Sequence, residues 1–116
     1  MAKHHQYTQG LLSFAAPTTT WKPPRMSELP TDWNRWKRLC LDFETCDPHL
    51  RALGIGSRRG GYIVGFGIAF EDGPAFYVPM RHALGGNVED ADAAWRWLCD
   101  GLWSFQGVVL TTGGAY

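Results

Sequence analysis

The sequence predicts an α/β domain: a three-strand antiparallel meander, then a helix, then a fourth strand. Three observations carry this. The run Tyr62–Phe70 is apolar throughout and is bounded by Gly60-Gly61 before it and Glu71-Asp72-Gly73-Pro74 after it. A strand between two turn signals has that form. Val88, Ala91, Trp95, Leu98, Cys99 and Leu102 then recur at helical spacing, with Glu89, Asp92 and Arg96 between them. Finally, Val108-Val109-Leu110 is a short β-branched and apolar run.

The elements follow in order. Strand one covers about 38–44, where Leu39-Cys40-Leu41 leads into Asp42-Phe43-Glu44-Thr45. A loop from Cys46 to Arg59 holds Pro48, Gly54 and Gly56 and ends in Arg58-Arg59. Strand two is 62–70; its unbroken apolar character predicts a central strand covered on both faces. The turn at 71–74 opens a hairpin. Ala75–Pro79 is strand three, and Pro79 ends it. Asn87 is the predicted N-cap of the helix, with acidic residues suiting its first turn, and Gly101 loosens its end.

Residues 1–37 carry no helical or strand period. Prolines recur at 17, 23, 24 and 30 and hold their predecessors extended. This is an extended arm, with Trp21 and Trp33 as candidates for docking on the domain of 38–116.

The chain has 116 residues, six of them tryptophan, and a formal net charge of zero, so no global basic field advertises nucleic-acid binding. The distribution is uneven. The first 41 residues hold six basic and two acidic side chains; the remainder holds five basic and nine acidic. A basic arm before an acidic domain suits a cation site, and ordinary surface charge accounts for it as well. Cys40, Cys46 and Cys99 form no C-x-x-C pair and read as reduced core residues. His4-His5 has no partner at ligand spacing. No run approaches membrane-spanning length, and the chain reads as soluble and cytoplasmic.

Asp42 and Glu44 are the chemical signal. On a strand, residues two apart project from one face. Two carboxylates held that close repel unless a cation lies between them or water reaches both. Hard oxygen donors suit Mg²⁺ or Mn²⁺. A strand that merely emerges into solvent gives the same D-x-E. Phe43 should point into the opposite layer.

Asp42-Phe43-Glu44-Thr45 resembles the D-x-E-T first motif of 3′–5′ proofreading exonucleases. Gly60–Ala69 is similar to the second strand of the exonuclease domain in family A, polymerase I-like DNA polymerases. Tyr77-Val78-Pro79-Met80-Arg81-His82 resembles the stretch after that domain's third strand. Trp21-Lys22-Pro23-Pro24 and Glu28-Leu29-Pro30 look like the lead-in of bacteriophage members. Together these features cover most of 21–116.

The resemblance implies a ribonuclease H-like fold, truncated after the fourth strand. It implies two Mg²⁺ or Mn²⁺ ions in the complete domain, and a single-stranded DNA 3′ end as partner of the complete protein. Asp42 matches the carboxylate that bridges both ions. Glu44 matches the one that holds the hydroxide-generating ion and orients the attacking water. Thr45 matches a contact to the terminal nucleotide. Phe43 is a core or a substrate residue. Arg81 and His82 either approach the phosphate backbone or serve structure. Arg58-Arg59 reads as a phosphate contact or a solvated loop, and Trp95, Trp97 and Trp103 as packing or base-stacking residues.

The pattern also departs from the family. Gly113 occupies an asparagine position, Tyr116 the aromatic position of the second motif, and the later motifs and polymerase parts are missing. The expectation is therefore the N-terminal fragment of an exonuclease domain, inactive or nearly so alone, with bare apolar surface and poor solubility. The alternatives are a non-catalytic remnant that binds nucleic acid or protein, and a ribonuclease H or transposase-type nuclease with the same opening.

Overall fold

The computed structural model describes residues 21–111. They form a four-stranded sheet with one long helix against it. β1 is Arg38–Cys46, β2 Tyr62–Phe70, β3 Ala75–Pro79 and β4 Val108–Thr111. A single turn of helix, α1 (Leu50–Leu53), lies in the β1–β2 loop, and α2 spans Ala91–Ser104. Short 3₁₀ turns occupy Met26–Glu28, Trp33–Arg35 and Ser57–Arg59. The strand order is β3-β2-β1-β4. β1 to β3 are antiparallel, and β4 returns through α2 to run parallel to β1. The meander–helix–strand order expected from the sequence is the order observed. β1 runs two residues further than predicted, and β4 takes in Thr111.

Register divides the sheet into two faces. Leu39, Leu41 and Phe43 lie opposite Phe70, Ile68 and Phe66, and Phe66 and Ile68 lie opposite Val78 and Phe76. This face meets α2, and most of it is buried. The outer face carries Cys40, Asp42 and Glu44 on β1, with Ala69, Gly67 and Gly65 as their β2 partners. β2 is central, as predicted, but its unbroken apolar run has a different cause from two-sided burial. Its outward positions are glycine and alanine, and among the described residues no second layer of secondary structure covers them. Cys40 is exposed on this outer face and is not a core residue.

The helix starts later and faces differently than its spacing predicts. The N-cap is Asp90, whose carboxylate accepts from the Ala93 amide at 2.8 Å. Asn87 is engaged elsewhere: its side chain pairs with the backbone of His82. The buried stripe is Ala94, Leu98 and Gly101, with Trp97 and Leu102 beside it, while Trp95 and Cys99 are exposed. The reason lies in the arm. Trp33 is 2% exposed and sits directly over Gly101. Its indole packs edge-on against Phe70 and Trp97, with ring centres 5.3 and 4.9 Å apart. Trp97 in turn stacks on Phe66. Both indole N–H groups donate to the Pro30 carbonyl, from Trp33 at 3.0 Å and from Trp97 at 2.7 Å. Trp33 is thus buried and Trp97 partly buried, both with their indole N–H groups satisfied. Asn34 ties the same segment to the end of α2, donating to the Ser104 carbonyl and accepting from the Gln106 amide.

Leu29 and Trp33 therefore share one core with the sheet and α2. Gly101 is a point of close approach, not a loose end: a Cβ there would overlap the Trp33 indole. Gly101→Ala should lower stability by about 1–3 kcal/mol, the usual cost of overpacking, despite the gain in helix propensity. Urea denaturation followed by circular dichroism reads this; an unchanged midpoint would show that the contact yields freely.

Candidate metal centre

Among the described residues, β4 pairs with Arg38–Leu41 of β1. Asp42 follows directly on the last of these pairs, Leu41 with Thr111. In open α/β sheets, ligands collect outside the carboxyl ends of parallel strands where the strand order reverses. Glu44 lies two residues on, on the same outer face, and both carboxylates are exposed. The register slips just after Glu44: Thr45 pairs with Ile63, leaving Val64 as the extra residue of β2. Such bulges often adjoin functional sites. Here the slip lets the Val64 carbonyl take both the Met80 and the Arg81 amides, at 2.8 and 2.9 Å, and so anchors the chain leaving β3.

A cleft of about 910 Å³ opens at this end of the sheet, lined among others by Asp42, Phe43, Thr45, Arg81, Asp92 and Trp95. Phe43 is on the α2 side of the sheet, opposite to the carboxylates, and is exposed, with its ring 6.4 Å from that of Trp95. The Thr45 hydroxyl donates to Asp47, whose other oxygen accepts from the Gly56 amide at 2.8 Å. Asp47 thereby closes the β1–β2 loop into one wall of the cleft. Nothing in the sequence beyond its place in a glycine-containing loop marks that role.

Glu44 and His82 do not line the cleft. They belong to the outer face, where Tyr77 joins them. The Tyr77 hydroxyl is 2.5 Å from His82 Nε2. Burial, and then the charge of Glu44, push the Tyr77 phenol above its ordinary value. Tyr77 was not foreseen as a site residue; the only signal was the spacing Tyr77-x-Pro79-x-x-His82. Gly113 and Tyr116 lie outside the described residues. Trp103 is almost fully exposed, and Trp97 is a packing residue.

Among the described residues, no group of three or more His, Cys, Asp or Glu side chains converges as a metal site. Two carboxylates on one open face fit a single divalent ion that keeps most of its waters, as Mg²⁺ does. They do not fit a closed cage. Among the described residues, no helix is long and apolar enough to cross a membrane.

Over 77 residues, 65% of the chain, the sequence is 46% identical to a DNA-directed DNA polymerase of Pseudomonas phage M6, and the chain spans 11% of that protein's length. No protein-family model matches the chain. No solved structure matches it either. Over about two thirds of its length, the chain is related to part of a phage DNA polymerase.

Proposed function

We propose that the chain is the N-terminal part of a metal-dependent 3′–5′ exonuclease domain of a DNA polymerase, with the ribonuclease H-like fold. The observation that carries this is the pair Asp42 and Glu44, exposed on one face where β1 emerges beside the end of β4. The strand order, the helical crossover and the relation to a phage polymerase support it. A protein of this kind works in the cytoplasm of an infected bacterium on the 3′ end of single-stranded DNA.

Asp42 and Glu44 would hold the cation, Mg²⁺ or Mn²⁺. Such an ion supplies charge stabilisation at the phosphate and a more acidic bound water. Glu44 would orient the attacking water. Asp42, at the border of cleft and outer face, would be the ligand nearer the substrate side. Thr45, Phe43 and Arg81 bound the space for the terminal nucleotide. Positioning and electrostatics dominate phosphoryl transfer. With two carboxylates the chain retains a weak site for one ion and negligible turnover, and the two-ion site belongs to the complete domain.

A second reading has its own support. Val108, Val109 and Leu110 are about half exposed, and Trp103 is 94% exposed. Such surface suits a non-catalytic remnant that docks nucleic acid or protein. Fluorescence anisotropy of a labelled single strand separates the two. Binding that requires Mn²⁺ and is lost in Asp42→Ala is the expected result. Binding that persists in chelator and survives the substitution would replace the first reading with the second.

A further inference from the structure

The outer face of the sheet holds a second set of polar groups next to Glu44. Asp42, Gly67 and Tyr77 form one row across β1, β2 and β3, and Glu44 and Gly65 lie in the next usable row on the same face. The Tyr77 ring leans from its own row into that one. Its hydroxyl lies 2.7 Å from where a Cβ on Gly65 would stand. Gly65 is the direct strand partner of Glu44. Absence of a side chain at 65 is therefore what seats the phenol beside the Glu44 position. The hydroxyl then meets His82 Nε2 at 2.5 Å. His82 is itself held, because the Asn87 side chain accepts from its amide at 2.7 Å and donates to its carbonyl at 3.0 Å. That double clamp is the reason Asn87 does not cap α2.

We propose that Tyr77, backed by His82, is a positioning residue for the Glu44 carboxylate. The 2.5 Å contact fits two proton arrangements. In one, the phenol donates to the imidazole. In the other, Nε2–H donates to the phenolic oxygen, and the phenolic proton is left for Glu44 or for the water it holds. The second is the arrangement assigned here. Outer-shell hydrogen bonds of this kind orient a ligating carboxylate and carry much of the affinity of a metal site. The inference rests on Asp42 and Glu44 being the cation ligands, and its test separates the two claims.

The full chain, labelled with ¹⁵N at histidine, is titrated with Mg²⁺ for the His82 ring signals and with Mn²⁺ for affinity by electron paramagnetic resonance. The expected result is a His82 ring protonated at Nε2 whose signals move as Mg²⁺ binds. Tyr77→Phe should abolish that movement and weaken Mn²⁺ binding by about tenfold, the low end for an outer-shell partner. His82→Leu, which leaves the Tyr77 ring in place, should weaken it similarly, whether or not Tyr77→Phe folds. His82→Gln, which keeps an N–H donor, should restore most of the affinity. Mn²⁺ binding within twofold of the parent in Tyr77→Phe or His82→Leu, with binding lost in Asp42→Asn, would overturn the positioning role and leave the metal site standing. Equal Mn²⁺ binding in the parent and in Asp42→Asn would overturn both.

Discussion

Trp33→Ala should leave the chain unfolded or nearly so at ambient temperature. Truncating a buried aromatic costs about 3–5 kcal/mol, and a small domain has about 5–15 kcal/mol in all. The site has little capacity to collapse. Trp33 fills the space between Phe70, Trp97 and Phe105, and α2 approaches it through a residue with no side chain, Gly101. The substitution also removes one of the two indole donors to the Pro30 carbonyl. Trp103→Ala is the contrast. Its side chain is 94% exposed, so the change should stay within about 0.5 kcal/mol. Urea midpoints by circular dichroism rank the pair. Equal midpoints would mean that the arm is an appendage and not part of the core.

The second large effect concerns the acidic pair. Asp42→Asn should abolish measurable Mn²⁺ binding, because one carboxylate and its waters hold the ion no better than solvent carboxylates do. Metal should also separate the two chains in thermal stability. A ligand at tenfold its dissociation constant adds about 1.4 kcal/mol to the folded state that binds it, a rise of several degrees for a domain of this size. Thermal melts in chelator and in Mn²⁺ should therefore show a rise in the parent that Asp42→Asn lacks. Parallel shifts of parent and variant on adding Mn²⁺ would place the ion elsewhere.

The strands were legible because their ends are local. Gly60-Gly61, Glu71-Asp72-Gly73-Pro74 and Pro79 impose turns or stops whatever lies beyond them, and β2 and β3 begin and end where those residues say. The helix was legible in existence but not in phase. Its spacing alone favoured Trp95 and Cys99 as inward residues. The actual stripe through Ala94, Leu98 and Gly101 is set by Trp33, more than sixty residues away in sequence, and no local pattern contains that contact. The same holds for Asn87, whose capping chemistry is spent on His82, five residues earlier. Cys40 sits in an apolar run yet is exposed, because its neighbours Leu39 and Leu41 face the other way.

At the candidate site, the i, i+2 spacing of Asp42 and Glu44 carried the geometry, since period two is a property of any strand. Tyr77 was not legible. It lies opposite Gly67, in the row of Asp42, and reaches toward Glu44 only because Gly65 lets the ring lean. A residue whose role depends on an absent side chain on a neighbouring strand leaves no trace in its own surroundings.

The most direct measurement is paramagnetic broadening of backbone amide signals by substoichiometric Mn²⁺ on the isotopically labelled chain. The acidic pair as a cation site predicts that the amides of Asp42, Phe43, Glu44 and their β2 partners Gly65 and Gly67 broaden first, and that Asp42→Asn removes the effect. Broadening centred on the acidic residues around the start of α2, or spread evenly over the surface, would contradict it.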